Sequence, residues 1–241
     1  MSRKDATSRG AAHGILYEVI QKLNPRTRQP AEGLALLVAI VLLMWVVEGI
    51  NSLTTHGSAL DADGAIYPRN FDHVWSIFTA PFLHFGWQHL VDNTIPFVFM
   101  GVIIALRGAT RLALVTLIVV VVGGLGTWLV APSGTETVGA SGVVFGYATY
   151  LFARGVFDRN WVELLIGVVV AAVWGGALIS SLVPQTGISW QGHAGGAVGG
   201  IVAAWLLAGR RTAGSGGGSG RLKDPPAHRH LHDSLDRALA R

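Results

Sequence analysis

The sequence predicts an all-α polytopic membrane protein, and three observations carry that prediction. Hydrophobic residues make up 51% of the 241 and charged residues only 13%, where a soluble domain carries about a quarter charged. Six apolar segments follow one another, most of them close to the ~20 residues that cross a bilayer as a helix. The basic residues fall on alternate connections. With the N-terminus inside, seventeen of the eighteen Lys and Arg lie on the inner side and only Arg69 is outside. That asymmetry predicts two cytoplasmic termini. The net charge of +4 is therefore an orientation signal, and no nucleic-acid partner is expected. With no cysteine, disulfides and thiolate metal sites are excluded.

Taken in order, residues 1–33 form a basic cytoplasmic segment without the apolar core of a signal peptide. Ile15 to Leu23 could form a short amphipathic helix on the membrane surface. The membrane domain is expected over residues 34–209. Its segments run from Leu34 to Ile50, Gln88 to Leu106, Leu112 to Ala131, Gly139 to Ala153, Val162 to Leu182 and Ser189 to Ala208. The fourth is short, at about 15 residues or some 22 Å of helix, so its first turn is expected below the membrane surface, shielded by neighbours. The outer connection from Asn51 to Trp87 is long for a compact domain. Its aromatics (Tyr67, Phe71, Trp75, Phe78, Phe82, Phe85, Trp87) suit a piece lying in the bilayer interface. Residues 210–241 read as a cytoplasmic tail with a Gly/Ser linker at Gly214 to Gly220. The alternating His228, His230 and His232 read there as solvated rather than metal-binding.

Polar residues inside spans are unfavourable, so each is a candidate site. Four stand out: His89 and Asn93 in segment two, Ser141 in segment four and His193 in segment six. Those segments all run from outside to inside, and each residue lies within the first few positions, so all four share a depth near the outer leaflet. His89 and Asn93, four apart, project from one helix face. Ser141 sits between Gly139 and Gly142 at a helix start, where free backbone N–H groups and a partial positive charge suit an oxyanion. Gly142 and Gly146 in segment four match Gly192, Gly196 and Gly200 in segment six. Such faces let helix backbones pack in near contact and would bring Ser141 and His193 within hydrogen-bonding reach.

The three ordered motifs His84-x4-His89-x3-Asn93, Gly139-Ala-Ser141-Gly142 and Gly192-His193-Ala-Gly-Gly resemble the rhomboid family of intramembrane serine proteases. The resemblance covers about residues 34 to 209 and implies a six-transmembrane-helix rhomboid-like bundle with an interfacial first outer loop. It implies a Ser–His dyad without a carboxylate: Ser141 as nucleophile and His193 as general base and then acid. His89, Asn93 and the Ser141 N–H would form the oxyanion hole. Phe145 falls where the family has an aromatic, often Tyr, packed on the base histidine, although a plain core role is an equal reading. His84 corresponds to a structural hydrogen bonder. Trp174 either lines a lateral opening for substrate between segments two and five or is a lipid-facing interface aromatic.

The resemblance further implies transmembrane protein substrates cut near their outer end, with small residues at the cut, in a lipid bilayer. The composition fits a bacterial inner membrane. No metal or organic cofactor is expected, because the histidines are too scattered for a zinc site. One departure is Trp75-Ser76 where many members have Trp-Arg. Asp92 beside Asn93 is an unusual acid so near a site, and Glu48 reads as a hydrogen bonder to the outer loop. The competing class is a catalytically inactive rhomboid-like protein that binds membrane clients. Such relatives typically lack the serine or the histidine, and this chain has both. A small transporter would need a broken helix or paired charges at mid-depth, and neither is evident.

Overall fold

The computed structural model describes residues 25–53 and 59–208. The expectations for Ile15 to Leu23, the Gly/Ser linker and the tail histidines lie outside these residues. The described chain is helical, with no strand beyond two isolated bridges. Six long helices follow the order of the six apolar segments: α1 Pro25–Leu53, α2 Trp87–Ala105, α3 Ala109–Val130, α4 Ser141–Phe157, α5 Trp161–Ser180 and α6 Trp190–Leu206. Four of them are long and apolar enough to cross a membrane: α1 over Gln29–Leu53, then α2, α3 and α5.

Two boundaries differ from the sequence reading in an instructive way. Helix α1 begins at Pro25, nine residues before the apolar run, because a helix continues through polar residues once its ladder is established. Segment six, expected over 20 residues, is a 17-residue helix. Ser189 caps its start, accepting from the Gly192 N–H at 3.2 Å, and the helical hydrogen bonds end at Leu207.

Helix α4 is the centre of the bundle, packed by α2, α3, α5 and α6. Tyr147 and Tyr150 are among its fully buried side chains, joined in the core by Phe97, Met100 and Ile104 of α2 and Leu112, Val115 and Val119 of α3. A phenol in such a core needs a partner, and the Tyr147 hydroxyl has one in Thr116 at 2.6 Å. The α4–α6 seam is made of glycine. A Cβ on Gly196 would collide with the Gly142 carbonyl, and one on Gly200 with the Gly146 carbonyl. Gly123 of α3 closes on Gly195 and Gly196 from the other side, with 3.1 Å left for a Cβ. Three backbones thus approach closely, as small residues permit in membrane bundles.

The end of the bundle rich in arginine is tied by charge. Glu163, at the start of α5, pairs with both Arg107 and Arg154. Arg154 also reaches Asp158 and the Tyr150 hydroxyl. At the opposite end, the connection between α1 and α2 is structured from Ala59 onwards. It contains a six-residue helix, Ala59–Gly64, and tight 3-10 turns at Phe71–Phe78 and Ala80–Phe82. Ile66 bridges Thr137, and Trp128 Nε1 donates to the Asn70 carbonyl at 3.0 Å. Arg69 donates to the Leu129 carbonyl and the Ser133 hydroxyl, at 2.8 and 2.7 Å.

Candidate active site

Ser141 is the first residue of α4, and the turn before it depends on glycine. Gly139 has φ 112°, a conformation costly for any residue with a Cβ, and its N–H donates to the Ala80 carbonyl at 2.9 Å. The Ser141 hydroxyl lies 2.9 Å from His193 Nε2. His193 is the fourth residue of α6 and only 8% exposed. Its Nδ1 lies 2.9 Å from the Ser181 carbonyl. A carbonyl only accepts, so Nδ1 carries the proton and Nε2 is left to accept from the serine. Phe145, one turn after Ser141, stacks face to face on the His193 ring, with centroids 4.4 Å apart and planes 6° from parallel. The ring is therefore fixed at both nitrogens and on one face.

His89 and Asn93 come to the same place from α2. A Cβ on Gly139 would lie 2.8 Å from His89 Cε1 and 3.3 Å from Asn93 Nδ2, so both side chains flank the turn before the serine. Asn93 is 6% exposed and its Nδ2 has no hydrogen-bond partner. A buried amide donor without an acceptor is costly, and this one lies beside Gly139, two residues before Ser141. The Phe85 N–H meets His89 Nδ1 at 3.4 Å, which leaves Nε2 of the neutral ring as a donor on the Gly139 side. His84 is fully buried, with its Nε2 3.4 Å from the Ala140 N–H. Burial, reinforced by the neighbouring His89, pushes the His84 pKa down to about 3, so this ring is neutral at physiological pH.

A cleft of about 390 Å³ opens onto Ser141 and His89, lined also by Phe85, Thr137, Ser189 and Gln191 among others. Asp92 turns away from it. Its side chain is exposed and accepts from Gln88 Nε2 at 2.9 Å. Trp174 is half-buried and packs on Phe99 of α2, with ring centroids 4.6 Å apart, so it stands at the α2–α5 seam. The loop bonds expected of Glu48 are made three residues on, by Asn51 to Asp61 and Leu60.

Two contributors were not legible in the sequence. Ser181 acts through its backbone carbonyl, which no side-chain pattern encodes. Arg69 does the work of a loop anchor although no aromatic–arginine pair marks it.

A helical bundle with apolar spans, holding a hydroxyl and an imidazole in contact at the ends of two glycine-packed helices, defines the class. The chain belongs to the rhomboid family: residues 72–210 match the Rhomboid domain. It is 42% identical over 179 residues to the uncharacterized protein Rv1337 of Mycobacterium tuberculosis, covering 71% of this chain and 73% of that one. It is 30% identical over 205 residues to Rhomboid-like protein 11, chloroplastic, of Arabidopsis thaliana, covering 77% and 69%. With Rhomboid protease GluP of Bacillus subtilis the identity is 28% over 180 residues, 71% of this chain and 34% of GluP.

Proposed function

We propose that this protein is an intramembrane serine endopeptidase that cleaves transmembrane helices of other membrane proteins near their extracytoplasmic end. The observation that carries the reading is the 2.9 Å contact of Ser141 Oγ with an imidazole whose other nitrogen is held by the Ser181 carbonyl. As the Ser141 oxygen attacks the scissile carbonyl carbon, its proton passes to His193 Nε2. The carbonyl π pair moves onto oxygen, and that oxyanion takes hydrogen bonds from Asn93 Nδ2, the Ser141 N–H and His89. On collapse, His193 gives the proton to the leaving amine, and Ser141 holds the new N-terminal fragment as an ester. A water from the cleft then attacks the ester while His193 takes its proton, and the return of that proton to Ser141 Oγ frees the enzyme. Ser181 substitutes for the missing carboxylate by fixing the tautomer, while Phe145 holds the ring plane.

Residues 34–209 form the membrane domain in this reading, between the cytoplasmic segment 1–33 and the tail 210–241. Both termini are cytoplasmic and the membrane is the bacterial inner membrane, as the clustering of arginine at the end opposite Ser141 supports. Exposed Phe71, Trp75, Phe78, Phe85 and Trp87 suit a loop resting in the interface. The substrate helix reaches the site between α2 and α5, where Trp174 and Phe99 form the seam. A helix must unwind before its carbonyl can reach Ser141, so segments with Gly or Pro near the cut are preferred. The test is cleavage in proteoliposomes of a single-pass substrate carrying small and helix-breaking residues near its outer end. The native chain produces two fragments, and Ser141→Ala and His193→Ala produce none. Equal cleavage by either variant contradicts the assignment.

A further inference from the structure

Among the residues lining the cleft that holds Ser141, Glu136 is the only Asp, Glu, Lys or Arg. It is exposed, and among the described residues it forms no ion pair. The polar side chains around it have donors turned into the protein. Thr135 Oγ1 donates to the Pro132 carbonyl at 2.8 Å, and Thr137 Oγ1 donates to Ser189 Oγ at 3.2 Å. Gln185 Nε2 donates to the Ser180 carbonyl at 2.8 Å. All three line the same cleft. A hydroxyl whose proton is committed, or an amide with one N–H committed, has oxygen lone pairs left to offer. The surrounding charge has the same sign. Asp63, Asp72 and Asp92 are exposed in and beside the connection between α1 and α2. Arg69, the one Lys or Arg at this end among the described residues, is committed to the Leu129 carbonyl and the Ser133 hydroxyl. Low-dielectric walls focus such a field into a cleft. A calcium ion takes about 6–8 oxygens, several of them charged, which one carboxylate does not supply. An ammonium or guanidinium group, which brings its own N–H donors, fits the set.

We propose that this cleft recognises a lysine or arginine of the substrate on the outer side of the cut, with Glu136 as the specificity-determining residue. The inference rests on the protease reading and gives it a substrate class. Reach sets where the base can lie. Glu136 stands five residues before Ser141, a stretch of chain that spans at most ~17 Å. An extended substrate covers that distance in about five residues. The preference is selective because Lys and Arg are concentrated on the inner flanks of membrane spans and are scarce on the outer ones. A single-pass protein with a base just outside its span is therefore uncommon, and the acidic cleft distinguishes it from the rest.

The test uses single-pass substrates in proteoliposomes that carry Lys, Gln or Glu at successive positions outside the cut, out to about five. They are presented to the full native chain, Glu136→Gln and Glu136→Lys. At the best position the native chain cleaves the Lys substrate with kcat/KM roughly fivefold above the Gln substrate, the size of a well-placed pair that water partly screens. The difference lies in KM, because the contact is remote from the reacting atoms. Glu136→Gln brings the two substrates together, and Glu136→Lys puts the Glu substrate first. Raising salt to about 0.5 M shrinks the native preference. The same order is expected for binding of these substrates to Ser141→Ala, read by fluorescence transfer, which needs no cleavage. Equal binding of Lys and Gln substrates at every position, or a preference that Glu136→Lys leaves unreversed, overturns the acidic cleft as a recognition site. Cleavage that ignores the base while binding prefers it overturns its role in specificity. A Lys preference in binding, with no substrate cleaved by the native chain, counts against the protease reading alone.

Discussion

Helices α5 and α6 are similar in length and both carry glycines, yet they sit in the molecule differently. On α6, Gly196, Gly199 and Gly200 press on the backbones of α3 and α4 so closely that a methyl group has no room. On α5, Gly167 alone is used in that way, against Phe152 of α4. Gly175 and Gly176 meet nothing within 4 Å, and Glu163, Gly167 and Val170 are its only fully buried residues. The lesson is that glycine content does not define a seam; the opposing backbone does. Fixed seams on α6 hold the imidazole to within hydrogen-bond tolerance of Ser141. Helix α5 is held at its arginine end by Glu163 and is loosely packed at Gly175 and Gly176.

The sharpest way to break this comparison is Gly196→Ala. Its Cβ overlaps the Gly142 carbonyl, so α4 and α6 must move apart. Overpacking of this kind costs about 1–3 kcal/mol, and an ångström of misplacement at the site costs on the order of a hundredfold in rate. Both thermal midpoint and substrate cleavage are expected to fall; a variant with native cleavage shows that the seam does not set the dyad. Next in size is Asn93→Ala, which removes one oxyanion donor. Turnover is expected to fall by about 10²–10³, or ~3–4 kcal/mol, with little change in midpoint because the lost donor has no partner in the resting structure. Unchanged turnover removes Asn93 from the oxyanion hole. The smallest effect belongs to Gly176→Ala on α5. Its new methyl group meets open space, so the variant is expected to gain up to about 1 kcal/mol from helix propensity. Destabilisation there means that α5 is packed as tightly as α6.

Much of this arrangement was legible in the chain. The six apolar runs mark six helices because hydrophobic patterning survives folding. His89, Asn93, Ser141 and His193 stand out because polar groups in apolar helices need a reason. Glycine spacing in segments four and six anticipated their contact. What escaped was geometry carried by backbone or by irregular loops. The Ser181 carbonyl holds His193 and has no side-chain signature. Arg69 adopts a left-handed φ of 60° to reach α3, and nothing in its neighbourhood in the sequence foretells that. Helix α1 starts nine residues early for the opposite reason: helix continuation needs backbone bonds, not apolar side chains.

The central claim is that a hydroxyl on α4 is made nucleophilic by an imidazole on α6. Fluorophosphonate labelling of the native chain in liposomes, beside Ser141→Ala and His193→Ala, tests it most directly. The account predicts stoichiometric labelling at Ser141 in the native chain and none in either variant. Labelling that survives in Ser141→Ala, or that proceeds at the native rate in His193→Ala, contradicts it.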